Sequence, residues 1–312
     1  MSKTGLKIIS LFIISALVAA VSAGVSGCNK EVEPEYTLSE DGSYYVFTKC
    51  PKSAKSVNIL AEYEGLPVKE IGKEAFLECK DLLSVSIPDS VTVIKASAFK
   101  LCRSLTGLKI PENVVSIGDG AFYGCACLTD VTIPKGVKTI SDMAFVACGF
   151  SKVDIPDGVK SIGAYAFHSC HSLTEINIPD SVTSIGGCAF SSCESLKSIV
   201  FSDNVTYIGD HVVADCKSLE SAVWSKHVSV IDGFIRCESL TNIVIPEGVT
   251  EIRTYAFYKC ISLADLVIPD GVTSIGEYAF GNCPALKEVY IPESVTTIGK
   301  GAFDNTVEVK MR

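Results

Sequence analysis

The chain has 312 residues, a formal net charge of −9 and 47% hydrophobic side chains. An acidic surface repels phosphate backbones, which weighs against nucleic acid as a partner, and this much apolar content excludes a wholly disordered chain. Such a length ordinarily suggests about two domains, but a fixed internal repeat overrides that prior, because a stacked array is one continuous core of any length.

From the N-terminus, Lys3 and Lys7 precede an apolar run from Ile8 to Val25 that is broken by Ser10, Ser15 and Ser22. A short basic region followed by a hydrophobic one predicts a secretory signal over residues 1–27. The segment ends in Val25-Ser26-Gly27-Cys28, which resembles a bacterial lipobox. That resemblance implies that Cys28 becomes the first mature residue and carries lipid. Cleavage after Val21-Ser22-Ala23 is an alternative, and an uncleaved spanning helix is disfavoured by the interior serines and short length. Several acyl chains, at ~0.8 kcal/mol per buried methylene, anchor a protein stably without a spanning helix. Losing Lys3 and Lys7, with no acid in the same segment, takes the mature chain to −11.

Residues 28–35 are polar and acidic and read as a solvated tether. Acids just behind the cysteine also resemble the surface-export signals of some outer-membrane lipoproteins. Over residues 36–58, Tyr36-Thr37-Leu38 and Tyr44-Tyr45-Val46-Phe47 flank Glu40-Asp41-Gly42-Ser43. Asp-Gly between two β-rich runs predicts a hairpin, placed here as an N-terminal cap.

Residues 59–305 form a ladder. Isoleucine returns about every 23 residues at Ile71, Ile94, Ile117, Ile140, Ile162, Ile185, Ile208, Ile231, Ile252, Ile275 and Ile298. Five residues after most of them comes a phenylalanine and three later a cysteine, in the phrase Ile-Gly-x-x-Ala-Phe, as in Ile117, Gly118, Ala121, Phe122 and Cys125. A period of this size marks a solenoid, whose units bury their apolar faces only against one another. In one unit, Ile176 and Ile178 alternate with Glu175 and Asn177, predicting a half-buried strand. Pro179 ends it, lacking the donor to continue a ladder. Val182 and Ile185 begin a second extended stretch on the opposite wall, and Gly186 is expected to allow a sharp turn. Ala189, Phe190 and Cys193 have the spacing of one short helical turn. The predicted fold is a right-handed stack of short parallel strands and short helical turns, with like residues in rows. Residues 306–312 carry Glu308, Lys310 and Arg312 and are expected to cap the open end, which would otherwise be a sticky edge.

Units of the form Leu-x-x-Ile-x-Ile-Pro-x-x-Val-Thr-x-Ile-Gly-x-x-Ala-Phe-x-x-Cys resemble the BspA-type leucine-rich repeats of bacterial surface proteins. The resemblance covers roughly residues 59–305. It implies a surface-exposed protein, with adhesion to host matrix or to other cells, and no shared catalytic residues.

Ten of the 14 cysteines lie in register, at Cys79, Cys102, Cys125, Cys148, Cys170, Cys193, Cys216, Cys237, Cys260 and Cys283. Rows ~4.8 Å apart with parallel Cα–Cβ vectors do not bring Cβ atoms to the ~3.8 Å a disulfide wants, so these are expected to be buried thiols. Cys50, Cys127 and Cys188 fall off the row and are the remaining candidates for pairing. His168-Ser169-Cys170-His171 is the one segment resembling a metal or thiol cluster. Zinc needs three or four convergent ligands and a nucleophile an oriented base; the sequence shows neither, and His168 and His171 occupy positions expected to face solvent. No catalytic residue, cofactor or metal is assigned.

The outward column of the first strand, two residues before each proline position, reads Ser86, Lys109, Thr132, Asp154 and Asn177, then Val200, Val223, Val244, Val267 and Tyr290. Strand propensity explains isolated exposed valines, but five apolar residues in succession make a stripe of the kind that contacts partners. Nearby, Phe201 and Trp224 replace isoleucine, Ser202 and Ser225 replace proline, Val213 replaces phenylalanine, and two residues are missing between Ile231 and Phe234. Compensating repacking and a local bend both account for this, repacking more simply. The functional expectation is a non-enzymatic, lipid-anchored cell-surface or outer-membrane protein that binds a protein partner through the stripe. The alternatives are a carbohydrate-binding module, which needs exposed aromatic platforms, and a structural spacer without a ligand.

Overall fold

The structure is a computed structural model that describes residues 33–312; the expected signal segment, Cys28 and the tether up to Val32 lie outside the described residues. One hydrogen-bonding scheme recurs from coil to coil, with a few interruptions, because one phrase recurs in the sequence, giving a parallel β-solenoid of about 12 turns. The back wall carries the isoleucine row in register, Ile71 beside Ile94 beside Ile117, Ile140 through Ile162 and Ile185 to Ile208, and Ile231 through Ile252 and Ile275 to Ile298. On the front wall, three-residue strands such as Lys152–Asp154 and Glu175–Asn177 pair in parallel. Their central side chains point into the core and their flanking ones into solvent, as a pleat requires.

Between the walls runs a column of phenylalanines. Phe47, Phe76, Phe99, Phe122, Phe145, Phe167 and Phe190 stack with centroids 4.6–5.7 Å apart and rings within 14° of parallel. The column is interrupted at Val213 and resumes through Phe234, Phe257, Phe280 and Phe303. Glu35–Leu38 and Tyr45–Lys49 form an antiparallel hairpin whose second strand joins the back wall in parallel at Leu66–Ile71. At the other end Glu308–Met311 pairs with Glu288–Ile291, so the last front-wall edge is covered by a charged strand.

The expected helical turns are not there: among the described residues no helix forms. Around Phe167, the N–H groups of Tyr165, Phe167 and Ser169 donate to Gly187, Ala189 and Ser191 of the next coil at 2.8–2.9 Å. Those of Ala166, His168 and Cys170 close turns onto the residue three before each, at 3.1–3.4 Å. A helix needs every N–H for itself, and here alternate ones belong to the neighbour. Two left-handed residues per coil make this alternation possible, for example Tyr165 and Ser169, both at φ 57°. Most such positions are not glycine, so most coils hold some backbone strain; Gly120 and Gly124 relieve it in the coil of Phe122.

The glycine that follows seven of the eleven ladder isoleucines also has a different reason from the one expected. Gly186 is not in the left-handed region; a side chain there would collide with the backbone of Gly163 and Ala164 in the preceding coil. At Gly118 an added Cβ would lie 2.5 Å from the Ala96 nitrogen. Close approach of coils, rather than backbone freedom, selects glycine.

The thirteen described cysteines are all unpaired thiols. From Cys102 onward each row thiol donates to the carbonyl three residues before the cysteine of the preceding coil, at 3.0–3.3 Å, as Cys193 does to Phe167 and Cys237 to Val213. Burial pushes Cys102, Cys170, Cys216 and Cys283 up to about 12, keeping the donor proton in place. Cys50 is not off the row: Phe47 heads the phenylalanine column, and Cys50, three residues on, is buried, its thiol donating to the Pro51 carbonyl at 3.3 Å. Cys127 is exposed and Cys188 half-buried.

Candidate interaction surface

The front-wall strands set the outward column by their period of two. Ser198–Val200, Ser221–Val223, Asn242–Val244 and Asp265–Val267 each bury the central residue and expose the two beside it. Val200 therefore stands beside Val223, Val244 beside Val267, and Val267 beside Tyr290. All five are exposed, between 46% for Tyr290 and 80% for Val244. The row ends at Lys310, paired with Tyr290, whose ammonium lies 5.4 Å from the Tyr290 ring centroid. Its hydrogen bond to Glu288, with a second contribution from Glu308, holds that ammonium above its ordinary range. Exposed acids flank the row: Asp265 and Glu288 precede it on the same strands, and Asp203, Glu247, Asp270 and Glu293 follow the front wall. The stripe is apolar with a mainly acidic margin.

A second feature, which sequence reasoning missed, lies on the back wall. In a regular coil, Thr206 N–H donates to Thr183 C=O at 2.9 Å and Gly209 N–H to Ile185 C=O at 2.8 Å. The next step fails. Among the described residues, Ser229 and Asp232, which stand where Thr206 and Gly209 do, make no such bonds to Thr206 and Ile208, and the ladder resumes only at Val230–Ile231. An earlier interruption, before Thr139–Ile140, is bridged by Ser141 Oγ donating to Ile117 C=O at 2.6 Å. The later one opens into a cleft of about 310 Å³.

Trp224 is a buried part of the cleft lining. It stacks on Phe201 at 5.0 Å and meets Phe234 edge-on at 5.4 Å. Its indole Nε1 is buried without a hydrogen-bond partner, which costs about 1–3 kcal/mol. Arg253 bonds Asp210 and lies 4.0 Å from Asp232, and His211 Nδ1 is 3.2 Å from Asp232. Burial raises the Asp232 carboxyl above its ordinary range, opposed by the His211 and Arg253 charges. Tyr207 and His227 are exposed parts of the lining. The visible signals in the sequence were Trp224 and the two missing residues after Ile231, but neither says that the ladder parts.

His168 departs from expectation. Its Nδ1 is buried and unpartnered, Tyr165 packs edge-on at 5.5 Å, and burial lowers its pKa. His171 is exposed. No group of three or more metal-ligating side chains occurs among the described residues, nor any helix long and apolar enough to cross a membrane.

Stacked coils of this period and phrase define a leucine-rich repeat protein, a class that generally mediates protein interactions. The BspA type leucine-rich repeat region, in six copies, matches residues 40–174, 138–234 and 232–311, and the chain belongs to that family. Among solved structures, a leucine-rich repeat protein from Bacteroides ovatus is similar at 22% identity and TM-score 0.58, covering 92% of this chain and all of that one. Another from Eubacterium ventriosum is similar at 21% identity and TM-score 0.52, covering 86% of this chain and 91% of that one. These likenesses bear on the fold. No curated protein matches the sequence.

Proposed function

We propose that this chain is a lipid-anchored bacterial cell-surface protein whose front wall binds a protein partner, in adhesion or recognition, through Val200, Val223, Val244, Val267 and Tyr290. The observation that carries the reading is the row itself: five apolar side chains in successive coils, all exposed. Three paired strand steps at ~4.8 Å and the unpaired step from Val223 to Val244 make a ridge roughly 20 Å long, and removing such a ridge from water favours association. Strand propensity alone accounts for valine at any one position but does not explain a change from polar to apolar at Val200 that persists to Tyr290. The anchor rests on the lipobox-like Val25-Ser26-Gly27-Cys28.

Val223→Lys with Val267→Lys is expected to weaken partner binding at least about tenfold, since each ammonium would be desolvated in an apolar contact. Thermal melting should be unchanged, because both side chains are exposed. Residues 36–312, immobilised against host-matrix and cell-surface proteins, provide the assay; equal binding by wild type and variant removes the stripe from consideration. For the anchor, Cys28→Ala is expected to move the protein from the membrane to the soluble fraction and abolish incorporation of labelled fatty acid. Labelling that survives this change refutes the assignment.

A further inference from the structure

We propose that the gap in the back wall is a binding site for a small neutral saccharide, independent of the front-wall stripe. The two coils on either side remain paired on the front wall, at Val200 and Val223, yet on the back wall the Thr206 and Ile208 carbonyls receive no N–H from the following coil. Where the back wall has the same problem earlier, after Ile117, Ser141 supplies a hydroxyl to the stranded carbonyl. At the later gap no side chain does so, and a ligand hydroxyl would play the part that Ser141 Oγ plays earlier.

The lining narrows the ligand class. Backbone carbonyls and the Asp210 and Asp232 carboxylates accept hydrogen bonds, and the Arg253 guanidinium donates them. Tyr207 contributes an exposed aromatic ring to the lining, and the largely buried Trp224 a small part of its indole. A sugar ring has both matching features, hydroxyls around its edge and an apolar C–H face. An anion is disfavoured, because Arg253 is already engaged by Asp210 and approached by Asp232. A divalent cation lacks three convergent ligands here. An extended peptide is too wide, since coils held at one strand spacing of ~4.8 Å on the front wall cannot part to admit another strand on the back. The volume, about 310 Å³, is at the small end for ligand sites and suits one or two sugar units.

Trp224 is the only tryptophan in the chain, so its emission reports directly on this cleft. The full chain is titrated with glucose, galactose, mannose, N-acetylglucosamine, lactose and cellobiose, with glycerol as an acyclic polyol control. At least one sugar is expected to change Trp224 emission saturably, with a dissociation constant on the order of 1 mM, as befits a ligand of a dozen or so heavy atoms. Arg253→Gln, which removes a charged donor, should weaken that binding about tenfold or more. Tyr207→Ala, a change at an exposed side chain that leaves the fold intact, should weaken it as well. Val223→Lys with Val267→Lys should leave it unaltered, which separates this site from the stripe. No saturable response to any of the sugars overturns the proposal. So does a response that glycerol reproduces, or one that survives both Arg253→Gln and Tyr207→Ala.

Discussion

Phe167→Ala is expected to destabilise the protein by about 3–5 kcal/mol, read as a lower midpoint in urea unfolding. Phe167 is fully buried and stacks on Phe145 at 5.5 Å and on Phe190 at 5.7 Å, with Phe150 edge-on at 6.2 Å. Truncation opens a cavity and removes aromatic contacts worth ~0.5–1.5 kcal/mol each beyond their buried area. In a stack where the core of each coil packs on its two neighbours, that loss is concentrated at two interfaces. Phe303→Ala is the internal comparison: it is only partly buried and has one stacked neighbour, Phe280 at 5.2 Å. It should cost clearly less. Equal losses at Phe167 and Phe303 would contradict the view that column neighbours on both sides set the stability.

Gly118→Ala should cost about 1–3 kcal/mol, although it adds a single methyl group. That methyl would lie 2.5 Å from the Ala96 nitrogen and 2.8 Å from the Lys95 carbonyl carbon. The obstacle is backbone held in a ladder, so relief requires the two coils to separate, and the bond from Gly118 N–H to Ile94 C=O at 2.8 Å would weaken. Gly65→Ala offers a contrast, because no atom lies within 4 Å of its added Cβ and only its φ of +81° opposes the change. Amide exchange should therefore rise around Ile94 and Ile117 in Gly118→Ala. Native stability and native exchange in that variant would show that coil spacing does not depend on this glycine.

Both predictions concern rows, and rows were legible in the sequence. Ile71 to Ile298 mark the back wall, Phe76 to Phe303 the aromatic column and Cys79 to Cys283 the thiols, because a solenoid turns linear period into spatial register. The outward column could be read in the same way, so Val200, Val223, Val244, Val267 and Tyr290 fell on one exposed face as anticipated. Cys50 escaped because the cap approaches the stack out of period: only the stacking of Phe47 on Phe76 places it at the head of the row.

What the linear chain determined by itself was therefore periodicity: which residues recur, which wall each row lines, and where the pattern falters between Val200 and Phe234. Tertiary structure alone decided how that pattern is closed. The spacing of Ala166, Phe167 and Cys170 is compatible with a helical turn, but the neighbouring coil captures alternate N–H groups, as when Phe167 donates to Ala189, and a competing partner one period away is invisible to local spacing. The glycines after isoleucine answer to backbone of the preceding coil, and the cysteines to a carbonyl in it. The cleft over Trp224 exists only because adjacent coils stay paired on one wall and part on the other.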